Sequence, residues 1–233
     1  MSYYPNQGYG APRQGYGAPQ GYPQQGGQYL QPGMQQPGGM GGMGVSMVGA
    51  PPPTFQGWAT QYYYQLKPQE LQELKQWFVS VDRDRSQSIS VHELQNLAFG
   101  GIPLGFDNAL KLIKVFDRDF SGTIDFYEYA SLHKFIQAMQ AAFIRADQNR
   151  NSQLDAAEIH NALLSSGFQL QIHAVQALFR KYARGRTGIG FGDFLGLASD
   201  IALLRSKFEW ADSRRSGYIS ITLDQLITMA ADL

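Results

Sequence analysis

The segment DRDFSGTIDFYE, residues 117–128, decides how the rest of the chain is read. It sets Asp117, Asp119, Ser121 and Asp125 at its first, third, fifth and ninth positions, leaves the Thr123 carbonyl at the seventh, and closes with Glu128 at the twelfth. Gly122 stands at the sixth, where a sharp bend needs a backbone conformation that a Cβ resists. A calcium ion takes roughly six to eight hard oxygens around a flexible loop, the last two from a glutamate on the following helix. An acidic helix cap alone does not explain carboxylates at both early and late positions.

The same frame recurs on both sides. DRDRSQSISVHE (82–93) and DQNRNSQLDAAE (147–158) are clear copies, and YARGRTGIGFGD (182–193) and DSRRSGYISITL (212–223) are fainter ones. Their starts are separated by 35, 30, 35 and 30 residues. That alternation fits five helix–loop–helix units, with a longer linker inside each pair and a shorter one between pairs. Four residues before each loop stand Phe78, Ile113, Phe143, Leu178 and Phe208. Stripes such as Leu71/Leu74/Trp77/Phe78 and Leu132/Phe135/Ile136/Met139/Phe143 have helical spacing and read as core.

Position eight is always Ile or Leu (Ile89, Ile124, Leu154, Ile189 and Ile219), so paired loops can join through a short antiparallel ladder. Ser90/Glu93, Asp125/Glu128 and Asp155/Glu158 have capping-box spacing. The short steps leave no room for a turn and predict single helices over 126–146 and 191–211. The long steps contain breaks, Gly100-Gly101-Ile102-Pro103 and Ser165-Ser166-Gly167, and Asp107 reads as the N-cap of a helix running through Phe116. The predicted fold is all-α, with EF-hand-type units, about eight helices and short loop–loop β pairing. Unit one pairs with two and three with four. Unit five is left over, with an apolar tail (Leu223, Leu226, Ile227, Met229, Leu233) suited to a two-fold dimer contact.

The first loop offers Asp82, Asp84, Ser86, the Ser88 carbonyl, Ser90 and Glu93, with Gln87 at the bend. The third offers Asp147, Asn149, Asn151, the Gln153 carbonyl, Asp155 and Glu158, with Ser152 at the bend. A side chain forced to positive φ costs roughly 1–2 kcal/mol, so both are expected to bind with some strain. Up to three calcium ions per chain are therefore expected. The fourth loop has Tyr182, Arg184 and Arg186 where acids belong, and the fifth has Arg214 and Leu223 at ligand positions. Both read as structural, metal-free hands.

Residues 1–57 read as a disordered arm and 58–233 as the folded domain. Within 1–60 lie 15 of the 26 glycines, 9 of the 11 prolines and a single charge, Arg13, among repeated QGYG-like units. Such a segment cannot bury enough to offset its ordering entropy. The formal net charge is zero, leaving no basic surplus for nucleic acid. With no cysteine, disulfides and thiolate chemistry are excluded. His92, His133, His160 and His173 are scattered, and the clustered carboxylates are all used as loop ligands or caps, so no enzyme is expected.

Five loops at this alternating period resemble the penta-EF-hand family, which includes sorcin, grancalcin, peflin, programmed cell death protein 6 and calpain domains. The resemblance covers residues 66–233 and implies an eight-helix domain that dimerises, with itself or a related chain, through the fifth hand. It also implies a cytoplasmic, calcium-responsive adaptor that takes Pro-rich or apolar peptides and is recruited peripherally to membranes. A regulatory subunit of a calpain-like protease and a calcium buffer are the alternatives. Asp82, Asp84 and Glu93 match the family's first site, and Asp147, Asp155 and Glu158 its third.

Overall fold

The computed structural model describes residues 51–53 and 55–231. The arm expected over 1–57 lies, up to residue 50, outside them, as does Leu233. Phe55 belongs to the body rather than to the arm: it is buried and meets Tyr63 edge-on, ring centroids 5.4 Å apart. A 3₁₀ helix follows at Trp58–Gln65. Its Trp58 and Tyr62 pack on Phe135, and the Trp58 indole donates to Ser206 Oγ at 2.6 Å. The sequence contains no period that would announce this aromatic strap.

The α-helices are α1 (Pro68–Val81), α2 (Val91–Leu94), α3 (Gly105–Phe116), α4 (Phe126–Ala146), α5 (Ala156–Ser165), α6 (Ile172–Ala183), α7 (Phe191–Ala211) and α8 (Leu223–Ala230). The two expected long helices have the expected bounds, 126–146 and 191–211. Along α4, Leu132, Phe135, Ile136 and Met139 are fully enclosed, each contributing roughly 1.5–3 kcal/mol on leaving water. The stripe on α1 is only partly core. Leu74 and Phe78 are buried, but Trp77 is 59% exposed, because α1 touches the body along a face too narrow to include it.

Two further expectations are corrected. Gly100-Gly101 is a hairpin turn, not a plain break: β1 (Ala98–Phe99) pairs antiparallel with β2 (Ile102–Pro103). Gly100 and Gly101 have φ 60° and 79°, the left-handed values that a tight two-residue hairpin requires. Asp107 is not an N-cap. Helix α3 starts at Gly105 after Leu104, which leaves Asp107 inside the first turn.

The loop ladders form as expected. Ile89 pairs with Ile124 and Leu154 with Ile189, all four wholly enclosed. Among the described residues Ile219 has no such partner, and no residue of α8 is buried. Leu223, Leu226 and Ile227 are 70%, 52% and 57% exposed, so the fifth hand presents an open apolar face.

One interior charge was not legible in the sequence. Asp200 on α7, 1% exposed, accepts from Lys111 of α3 at 2.6 Å and from Lys181 and Tyr182 of α6 at 2.9 and 2.6 Å. Burial would raise its pKa, but these three donors outweigh that and hold it below the usual carboxylate range. Removing one partner of a buried pair strands the other's charge. Asp200→Ala is expected to lower unfolding stability by about 3 kcal/mol, read from urea midpoints, whereas Lys111→Met with Asp200→Leu should recover most of the loss.

Candidate metal centre

Each clear loop is closed by the same three backbone clasps. The first-position aspartate terminates its incoming helix and accepts N–H bonds from positions five and six. Asp82 takes Ser86 and Gln87 at 2.9 Å each, Asp117 takes Ser121 and Gly122 at 3.0 and 2.8 Å, and Asp147 takes Asn151 and Ser152 at 3.1 and 2.9 Å. The third-position side chain, Asp84, Asp119 or Asn149, accepts from the fifth-position N–H at 3.0 Å. The twelfth-position glutamate accepts from position two with one oxygen and from position nine with the other. Glu128 does so from Arg118 and Asp125 at 2.6 and 2.9 Å, Glu93 from Arg83 and Ser90, and Glu158 from Gln148 and Asp155.

The backbone of these loops is left-handed at positions four and six: Arg85 and Gln87, Phe120 and Gly122, and Arg150 and Ser152. Only Gly122 adopts this conformation without a Cβ penalty. Gln87 and Ser152, at φ 68° and 60°, carry the strain expected of them, on the order of 1 kcal/mol each. The fourth positions are a feature that sequence reading missed, since Arg, Phe and Arg there give no hint of positive φ.

Among the described residues, carboxylate oxygens converge in two places. Asp82, Asp84 and Glu93 bring one oxygen each within 4.8 Å of one another, and Asp117, Asp119 and Glu128 do the same. Like charges at this separation favour either a cation or a proton. Burial lifts the Glu128 carboxyl to about 7, the Arg118 and Asp125 N–H groups oppose that, and the Asp125 and Asp119 charges add to the lift. Burial also raises Asp117, opposed by the Gly122 and Ser121 N–H groups. Glu93 differs: its burial is outweighed by bonds from Ser90 and Arg83, and it sits low. The donor set is all oxygen and acidic, which suits a hard divalent cation such as calcium. In the third loop Asp147, Asp155 and Glu158 share the same fold, with Asn149 and Asn151 supplying neutral oxygens.

The two faint loops diverge from each other. The fifth keeps the clasp: Asp212 accepts from Ser216 and Gly217 at 2.9 and 2.7 Å, with Arg215 and Gly217 left-handed. It lacks the closing glutamate. The fourth abandons the loop backbone, because α6 runs to Ala183 and turns at Arg184, φ 49°. Arg186 then reaches back to the Tyr182 and Ala183 carbonyls at 2.9 and 3.0 Å and across to Asp193 at 2.6 Å. A guanidinium thus holds Asp193, which stands at the twelfth position, where an ordinary hand carries the carboxylate that closes the metal shell.

The native state retains the Glu128 proton that the unfolded chain releases near 4.5. Between those values the native form binds more protons, so stability must fall as pH rises. In chelator, carboxyl NMR is expected to place Glu128 near 7. Urea unfolding should show stability falling from about pH 4.5 to 7 and levelling above, a slope that Glu128→Gln removes.

No family model matches the chain. It is 46% identical over 188 residues to penta-EF hand domain-containing protein 2 of Dictyostelium discoideum, covering 80% of this chain and 92% of that one. It is 34% identical over 159 residues to a sorcin of Schistosoma japonicum, covering 67% and 93%. A solved homolog of programmed cell death 6 protein from Leishmania major Friedlin is 37% identical, with a TM-score of 0.50 over 70% of this chain and 94% of that one. Five loops in two bridged pairs and an odd fifth, together with these relatives, place the chain in the penta-EF-hand family.

Proposed function

We propose that this chain is a calcium-responsive adaptor. The observation that carries the reading is the pair of converging carboxylate triads in bridged, already closed loops, one of which holds a raised-pKa glutamate. Asp82, Asp84, Ser86, the Ser88 carbonyl, Ser90 and Glu93 would hold one ion. Asp117, Asp119, Ser121, the Thr123 carbonyl, Asp125 and Glu128 would hold a second. Asp147, Asn149, Asn151, the Gln153 carbonyl, Asp155 and Glu158 would hold a third. The bound cation supplies charge that lets the carboxylates stay ionised together. Titration calorimetry is expected to count three sites, and two after Glu128→Gln; four or more, or no loss, would refute the assignment.

The chain's penta-EF-hand relatives support a non-enzymatic role, and the lack of cysteine excludes thiol catalysis. Its proposed output is calcium-dependent capture of Pro-rich or apolar peptides, in the cytoplasm and at membranes. No helix among the described residues is long and apolar enough to cross a membrane, so recruitment would be peripheral. Pull-down of Pro-rich peptides should succeed in calcium and fail in chelator. Equal capture in both would argue for a buffer.

The open face of α8 supports pairing through the fifth hand, with a second copy or a related chain such as a calpain-like protease subunit. A two-fold contact would cover both Ile227 and the unpaired edge at Ile219. Light scattering in chelator at micromolar protein should give twice the monomer mass, and Ile227→Asp should reduce it. A monomer, or an unaffected variant, would reject this interface.

A further inference from the structure

Between α3 and the fourth loop lies a cleft of about 960 Å³ that the calcium reading does not use. Its lining includes five cationic side chains, Lys111, Lys114, Lys181, Arg184 and Arg186, against two carboxylates, Asp107 and Asp193. In a chain of zero net charge this is a local concentration of positive charge. Asp193 is already engaged by Arg186 at 2.6 Å.

Two of the lysines are held in place rather than left to swing. The buried Asp200 carboxylate binds Lys111 with one oxygen and Lys181 with the other, at 2.6 and 2.9 Å, so one negative charge anchors two positive ones. Each ammonium has three donors. Lys111 uses two, on Asp200 and Tyr182, and Lys181 uses one. The remaining donors belong to side chains that line the cleft. Arg184 also lines the cleft, from the left-handed turn that ends α6. Beside these cations lie Phe106 and Leu110, 45% and 37% exposed.

We propose that this cleft is a binding site for a multiply phosphorylated head group, of the inositol phosphate class, free or carried by a lipid. Fixed ammonium groups and a guanidinium on different walls match several phosphates on one ring better than a single phosphate. The volume is ample for such a ring, and the exposed Phe106 and Leu110 suit the apolar boundary of a bilayer. The fourth loop is then not merely a lapsed calcium hand. Its substitutions to Arg184 and Arg186 reverse the charge it offers. The proposal does not rest on calcium occupancy, and it is tested in chelator so that the two readings fail separately.

Full-length protein would be titrated with inositol trisphosphate by calorimetry and sedimented with phosphatidylcholine vesicles with and without phosphatidylinositol bisphosphate. The parent is expected to bind the soluble probe saturably, with Kd below about 100 µM. Lys181→Gln with Arg184→Asn should weaken this about tenfold, asparagine being chosen because it tolerates a left-handed backbone. Arg214→Gln with Arg215→Asn removes equal charge at the fifth loop and should change binding less than about twofold. Lys181→Arg should retain most of the affinity. Sedimentation with bisphosphate vesicles, competed by the soluble probe, identifies the lipid source; soluble binding without sedimentation identifies a free polyphosphate. Absence of binding to either probe overturns the site. So does equal weakening by both double variants, or none by the first.

Discussion

In four of the five loops one carboxylate takes the N–H groups of two successive residues, and the rest of the architecture hangs on that bond pair. Asp82, Asp117, Asp147 and Asp212 each stop a helix and fold the next residues back over themselves. The reversal delivers the eighth residue, edge first, to the neighbouring loop. Where a neighbour exists the result is a bridge of two N–H···O bonds, 2.8 and 2.9 Å at Ile89–Ile124 and 2.9 and 3.0 Å at Leu154–Ile189. The fifth loop has lost its third-position acid and its closing glutamate, yet its clasp persists. The turn is therefore maintained by backbone donors, independently of any ion.

An odd number of hands fixes what must be done elsewhere. Two pairs satisfy four loop edges, and the enclosed side chains of α4 and α7 join the pairs into one core. The N-terminal aromatic strap closes part of that core. Trp58 touches Phe135 and Phe168 and bonds Ser206, tying α4, the α5–α6 turn and α7 together. Among the described residues the fifth hand has no comparable aromatic cover, and Lys207 on α7 donates to the Met229 carbonyl of α8 at 2.9 Å.

Much of this was legible because it is periodic. Spacing alone located the loops and the two long helices, and pattern at fixed positions located the carboxylates that converge in the first two loops and the capping boxes. What escaped was non-periodic. Gly100-Gly101 reads equally as a break or a hairpin until its flanks are seen to pair. Asp107 has good capping chemistry but lies inside a helix that Gly105, at φ 74°, starts earlier. Asp200 sits unremarked in an apolar helix, because its three partners come from α3 and α6 and only tertiary structure assembles them. In the sequence Arg186 shows only as a cation standing where an acid belongs. Its positive role, binding the oxygens of its own loop, depends on a helix extension that no local signal announces.

The helices that close one hand also open the next, and this makes each of them a lever. At about 1.5 Å per residue, the 21 residues of α4 span roughly 30 Å between the second loop and the third. A pivot of about 10° at Asp125 would carry Asp147 through roughly 5 Å, more than a hydrogen bond can stretch. The chain therefore cannot adjust the two loops by small independent amounts. Either α4 stays still, or the two bridged pairs turn against each other as blocks, with the strap around Trp58 lying across the joint.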